Sequence, residues 1–297
     1  LPAWVLTGLI QLLAAARWHF LLGQMVGSAA PSFAHVLHHT LNGAAVGLFT
    51  PSRDLGEMGA RVASVQVRHR LGVSRVAVSV LLDRLFDILV VIPFALAGLP
   101  FLLGGWRHPW LLGTSYLVAV GLTAILLSNG YGYRRLLRRL SGGYGWLFAR
   151  WRRLPLLRRW QPAAPETLAG LGRDVSPRLL LGAFGLTVIK YSAFALRAFL
   201  VAKAVGAVIP LTSVLLALPL AQASLLLAVT PGGVGVAEMG WYGALSLLGV
   251  SGPTSAAFVV AHRLFLTIFV LTVALMGQAA YALASTRRVG AVQRTLR

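Results

Sequence analysis

Thr230-Pro231-Gly232-Gly233-Val234-Gly235-Val236-Ala237-Glu238, followed by His262-Arg263-Leu264-Phe265, has a counterpart in the first half of the chain: Thr50-Pro51-Ser52-Arg53-Asp54-Leu55-Gly56-Glu57, followed by Asp83-Arg84-Leu85-Phe86-Asp87. Both copies read Thr-Pro, a glutamate, then Arg-Leu-Phe. The proline precedes the arginine by 33 residues in the first copy and by 32 in the second. Local composition does not hold a spacing over that distance, whereas an internal duplication does. Five of the seven carboxylates of the chain lie in these motifs. The glycines after Pro231 break any helix there. Broken backbone at membrane depth survives only where protein or a water-filled cavity satisfies its polar groups, so this point borders a lined cavity.

The solvent follows from composition. Hydrophobic residues make up 57% of the chain and charged residues 11%, with a mean hydropathy of +0.77, whereas soluble domains are about a quarter charged. The chain is therefore read as all-α, a polytopic helical membrane protein with about six to eight membrane segments in two related halves and broken or re-entrant helices at the Thr-Pro motifs. Apolar runs fit to cross a core of about 30 Å occupy Pro2 to Gln24, Val73 to Leu103, Trp110 to Ser128, Leu179 to Val201, Ile209 to Val229 and Ser255 to Leu283. Phe33 to Phe49 and Val234 to Val250 are shorter, and each borders a Thr-Pro motif. The runs are continuous and do not alternate as outer-membrane barrel strands do.

The net charge of +20 does not point to nucleic acid, because of where it lies. Eleven arginines fall between Arg134 and Arg178, and Arg287, Arg288, Arg294 and Arg297 close the chain. Arginine accumulates on cytoplasmic loops, so both stretches are assigned to the cytoplasmic side of the cell membrane, resting on anionic headgroups. The expected division is a first membrane half over 1–128, a basic connector over 129–177, a second membrane half over 178–286 and a basic tail over 287–297. With connector and tail on one side, the second half crosses an even number of times. Either Ile209 to Val229 and Val234 to Val250 both span, or they form a hairpin that enters and leaves by one face. The chain begins at Leu1 without an initiating methionine, so its N-terminal side is left open. Most of the eight tryptophans stand at the ends of apolar runs, where belt residues belong.

Several polar residues stand out against this background. Arg53, Glu57, Arg61, Ser64 and Arg68 recur at helical spacing, with Leu55, Met58, Val62 and Val65 on another face. That amphipathic helix either lies at the headgroups or walls a hydrophilic cavity. Glu57 and Arg61 are spaced to pair. Asp83, Arg84 and Asp87 sit within an apolar run, where each charge costs about 2.5–3.5 kcal/mol and demands a partner. Glu57 is the expected partner of Arg84, and by the repeat Glu238 that of Arg263. Lys190 and Arg197 share one helical face. Asn42 serves as helix-packing glue or as a cavity donor. His35, His38 and His39 have usable metal spacings but no carboxylate or cysteine beside them, so no metal and no cofactor are expected. The absence of cysteine removes disulfide and thiolate chemistry.

Arg17-Trp18, Asn42, Pro51-Ser52-Arg53, Gly56-Glu57, Arg61, Asp83-Arg84-Leu85-Phe86-Asp87, Pro231-Gly232-Gly233-Val234-Gly235 and Glu238 together resemble the flippase-like family named for the transmembrane region of lysylphosphatidylglycerol synthase. The likeness runs from about Trp4 to Leu283. Two departures are Pro51-Ser52 in place of the usual proline-glycine and Asp83 in place of the usual glutamate. The resemblance implies a lipid translocase for aminoacylated phosphatidylglycerol or for polyprenyl-linked and other anionic lipids. Bifunctional relatives carry a soluble aminoacyltransferase domain after the membrane region. This chain ends about a dozen residues past its last apolar run, so that activity is expected, if anywhere, in a separate lipid-modifying enzyme. The expected cavity residues are Asn42, Arg53, Glu57, Arg61, Asp83, Arg84, Asp87, Lys190, Arg197, Gly232, Gly233, Glu238, His262 and Arg263, with free amides after Gly232 to Gly235 helping to hold an anion. Glu57→Gln and Glu238→Gln are expected to have related effects. The rival readings are a membrane enzyme on a lipid phosphate, glycosyltransferase-like, and a non-catalytic scaffold. No Asp-x-Asp, Ser-x-x-Lys or His-Glu pair supports the enzyme.

Overall fold

A computed structural model describes residues 1–50, 52–102, 108–129, 135, 176–225, 228 and 230–295, with side chains described up to 279. The described residues form helices and no strand ladder. In chain order these are α1 (Pro2–Val26), α2 (Phe33–Phe49), α3 (Arg53–His69), α4 (Val73–Leu102), α5 (Pro109–Ser128), α6 (Pro177–Ala204), α7 (Leu211–Leu225), α8 (Val236–Leu247) and α9 (Gly252–Thr295). Five of them, α1, α4, α5, α6 and α9, are long and apolar enough to cross a membrane. Pro51 and nearly all of the basic connector lie outside the described residues.

The remaining four helices form two hairpins. α2 and α3 run antiparallel, with His39 against His69 at the open end and Gly47 against Arg53 near the tip. A Cβ on Gly47 would stand 2.8 Å from the Arg53 carbonyl oxygen, so the two limbs approach as closely as backbones allow. Thr50 is extended (φ −94°, ψ 144°), as the residue before a proline must be, and this ends α2. α7 and α8 pack in the same way, Ser224 Oγ donating to the Val236 carbonyl at 3.2 Å. At ~1.5 Å per residue, the 15 residues of α7 cover about 22 Å, short of the ~30 Å core. Of the two arrangements left open for Ile209 to Val250, the hairpin is the one adopted, and Ile209 to Val229 is not a span.

The succession of elements fixes the direction of each hairpin. α1 crosses from a first face to a second. The α2–α3 hairpin enters from the second face and returns to it, and α4 crosses back. α6 runs antiparallel to α1, the α7–α8 hairpin enters from the first face, and α9 crosses the other way. Phe94 stacked on Tyr116, with Leu216 beside Gly98, places the start of α7 beside the end of α4 and the start of α5, on the first face. The two hairpins thus point at one another from opposite sides, and their tips meet between the faces.

Lipid tails are as apolar as leucine, so contact within the membrane is decided by packing and polar pairing rather than by burial from water. Trp18 and Trp241, both buried, belong to this packing and not to the expected belt; Trp18 Nε1 donates to Ser79 Oγ at 3.0 Å. α3 is not an interfacial helix either. Arg61, Val62 and Val65 are all buried, so both its polar and its apolar stripes face protein.

Candidate functional site

One group of ions lies between the mouth and the tip of the first hairpin. Arg17 of α1 donates from Nε to Asp83 Oδ1 at 2.6 Å, and from Nη1 to Asp87 Oδ1 at 2.9 Å and Thr187 Oγ1 at 2.8 Å. Arg61 reaches from Nη1 to Asp83 Oδ2 at 3.0 Å and also pairs with Glu57. Arg84 stands 2.6 Å from Glu57 Oε2 and 3.5 Å from Asp54 Oδ1. Lys190 of α6 is bound to Asp87. The cations Arg17, Arg61, Arg84 and Lys190 meet the carboxylates Asp54, Glu57, Asp83 and Asp87, so the group is neutral.

This arrangement answers the question posed by three charges in one apolar run. Arg84 lies off the Asp83–Asp87 face, and the guanidinium that serves both aspartates comes from α1 instead, with 1% of Arg17 exposed. Such a network stabilises only because each charge is met, and removing one partner leaves the others buried and uncompensated. Arg17 appears above only within the family pattern. Its lone place in an apolar run was the available signal, since a guanidinium within the membrane calls for an acceptor.

Among the described residues one backbone hydrogen bond joins the hairpin tips, the Gly232 N–H donating to the Thr50 carbonyl at 3.2 Å. Gly232 has φ +61°, and a Cβ there would lie 2.5 Å from the Leu48 carbonyl oxygen. The amides expected to be free for an anion are not free. Gly233 donates to Thr230, Val234 to Pro231, and Gly235 to Glu238 Oε2 at 2.8 Å. Glu238 occupies the N-terminus of α8 itself, taking the place that an anion would have.

A second group of ions lies beyond the tips, toward the first face. Arg263 Nε stands 3.4 Å from Glu238 Oε1, and its Nη1 donates to the Gly232 carbonyl at 3.0 Å. Arg197 Nη2 approaches His262 Nε2 at 3.4 Å, and its guanidinium lies over the Phe194 ring at 4.7 Å. An arginine has no acceptor, so His262 Nε2 accepts and the imidazole is neutral with its proton on Nδ1. Arg53 is near enough for its charge to act on Arg197, His262 and Arg263. Among the described residues, neither Arg53 nor Arg197 forms an ion pair with a carboxylate. Arg197 is 3% exposed and its Nε has no hydrogen-bond partner.

The duplication explains the difference. Arg17 and Arg197 are 180 residues apart, Asp83 and His262 179, and Glu57 and Glu238 181. Arg17 meets Asp83 and Asp87; Arg197, at the equivalent place, meets His262 and would meet Leu266. The second copy has kept the cation and lost both anions. Arg53 also acts on Glu57, and across both groups, among the described residues, seven cations (Arg17, Arg53, Arg61, Arg84, Lys190, Arg197 and Arg263) face five carboxylates (Asp54, Glu57, Asp83, Asp87 and Glu238), which leaves a surplus of two positive charges in the middle of the protein.

A family model described as the lysylphosphatidylglycerol synthase TM region matches residues 1–274. The chain belongs to that family. Comparisons with curated proteins and with solved structures gave no match.

The other expected site residues of this family member fall outside both clusters. Asn42 is glue between helices: it pairs with His38 Nε2 at 2.9 Å and accepts from Gln278 of α9 at 2.9 Å. His35, His38 and His39 gather with His69 at the mouth of the first hairpin, His39 Nε2 being 3.3 Å from His69 Nε2. Among the described residues no three metal-binding side chains are placed to hold an ion.

The matched glutamates are unequal. Glu57 is buried and compensates two arginines, whereas the Glu238–Arg263 pair is about a quarter exposed on each side. Glu57→Gln should lower stability by roughly 3 kcal/mol. Glu238→Gln keeps an acceptor for Gly235 and should cost under about 1 kcal/mol. Thermal melting in detergent checks this; equal shifts would mean that Asp54, Asp83 and Asp87 suffice to compensate Arg61 and Arg84 without Glu57.

Proposed function

We propose that this chain carries the headgroup of a membrane lipid between leaflets, past the point where the two hairpin tips meet. Family membership supports a role with membrane lipids. The observation that carries the reading is the tip contact itself: hairpins from opposite faces, joined among the described residues by the Thr50–Gly232 hydrogen bond, with an uncompensated buried guanidinium just beyond. A headgroup crossing hydrocarbon needs a polar path with cationic partners. A contact between two glycine- and proline-bearing turns can open and close more readily than a packed core.

In this reading 1–128 and 178–286 are inverted copies of one unit, and movement of the two hairpin tips against the frame exposes the cations to one face and then the other. The neutral cluster around Arg17 ties α1, α3, α4 and α6 into a frame. The connector (129–177) and the tail (287–297) lie on the cytoplasmic side of the cell membrane by their arginine content. The carboxylates of the first cluster are each held by cations, which supports transport over an enzyme needing a free base or a metal-binding pair.

Purified protein in liposomes with a fluorescent lipid tests the proposal. Label should move between leaflets without covalent change. A chemically altered lipid would mean an enzyme, and inertness in both respects would favour a scaffold for a partner protein. Arg263→Ala should reduce the rate at least tenfold, from the loss of a charged hydrogen bond worth about 1.5–3 kcal/mol. If only the yield of folded protein falls, Arg263 holds the tip and takes no part in passage.

A further inference from the structure

The pairing around Arg197 bears on which headgroups the site accepts. Arg197 and Arg263 stand on the first-face side of the tips and Arg53 at the tip of the first hairpin; Glu238 pairs with Arg263, while Glu57, which also feels Arg53, is taken up by Arg61 and Arg84. Both oxygens of Glu238 are engaged, Oε2 by the Gly235 amide and Oε1 by Arg263. An ammonium group entering there would have to share a carboxylate already held by the Gly235 amide and by Arg263. A cationic head would also meet Arg53, Arg197 and Arg263 at short range in a medium that screens poorly. The buried Arg197 Nε lacks an acceptor, and a guanidinium fork matches phosphate oxygens in number and direction.

We infer that the cluster of Arg53, Arg197 and Arg263 takes a phosphate ester that carries no compensating amine, as in phosphatidylglycerol or a polyprenyl phosphate, and discriminates against aminoacylated heads. The bound phosphate supplies the negative charge that Asp83 and Asp87 supply to Arg17 in the first copy. His262 leaves that place open by being neutral and by accepting from Arg197 at only one nitrogen. The inference rests on the transport reading for the lipid nature of the ligand, and on the charge count for its class.

The test is thermal unfolding of the full chain in detergent with added phosphatidylglycerol, polyprenyl monophosphate, lysylphosphatidylglycerol or phosphatidylcholine. One or both of the first two should raise the midpoint by several degrees and reveal which lipid is the source; the last two should leave it unchanged at equal concentration. Arg197→Gln should abolish the rise. His262→Asp tests the same point in a variant whose buried charge is compensated: its midpoint without lipid should exceed that of the wild type, and anionic lipid should no longer raise it. Equal stabilisation by lysylphosphatidylglycerol, or a rise that persists in His262→Asp, overturns the inference. Selective binding in detergent with no movement in liposomes would overturn the transport reading and leave the headgroup class standing. Movement of all four lipids at similar rates would do the reverse.

Discussion

Arg17→Ala should destabilise the protein more than any other single substitution at these clusters. Its guanidinium is the contact shared by Asp83, Asp87 and Thr187, and it is buried at the crossing of α1, α4 and α6. Truncation leaves Asp83 with Arg61 alone, and leaves Asp87 with Lys190 and, at 3.5 Å, Arg84. Breaking a buried ion pair by removing one partner costs about 3–5 kcal/mol, a large part of the ~5–15 kcal/mol that holds a typical domain together. The expected observation is a sharp fall in the midpoint of thermal aggregation and in the yield of monodisperse protein. Arg17→Lys keeps the charge but loses the fork, so it should fall between. An unchanged midpoint for Arg17→Ala would show that the two aspartates find other compensation and that the network is not the frame.

Gly232→Ala should reduce lipid movement at least tenfold with a smaller effect on folding. Two separate penalties act at this residue. Its φ of +61° is a conformation that costs an L-residue about 1–2 kcal/mol. A methyl group would also lie 2.5 Å from the Leu48 oxygen and 3.0 Å from Arg263 Nη2, so the tips must part or Arg263 must move. Gly235→Ala separates these effects, because its φ of +84° carries the same kind of strain while nothing lies within 4 Å of the added carbon. Translocation in liposomes should fall far more in the first variant than in the second. Equal losses would assign the effect to backbone strain and remove the tip contact from the mechanism.

Much of the architecture was legible in the chain itself. The long apolar runs read as spans are helices long enough to cross, except Ile209 to Val229, and both Thr-Pro motifs are the tips of hairpins. Local spacing and the repeat also gave three ion pairs correctly, Glu57 with Arg61, Glu57 with Arg84 and Glu238 with Arg263. Each of these partners lies within one hairpin or between a hairpin and the helix after it. What escaped was long-range. The partners of Arg17 are 66, 70 and 170 residues away, and no periodicity in the sequence reports them. The amides after Gly232 looked free because glycines before a helix often leave them so; here the turn and the Glu238 carboxylate take them up.

Sequence alone determined the solvent, the places where helices must break and the residues that had to find a partner, because apolar length, proline, glycine and the cost of a charge in hydrocarbon are local properties. Tertiary structure decided how the charges far apart in the chain cancel. Two equivalent arginines, Arg17 and Arg197, carry the same side chain in equivalent helices, yet one is met by two aspartates and the other by a histidine. Electrostatic energy in a weakly screening interior depends on the few ångströms separating side chains from different helices, and only packing of the whole chain sets those distances.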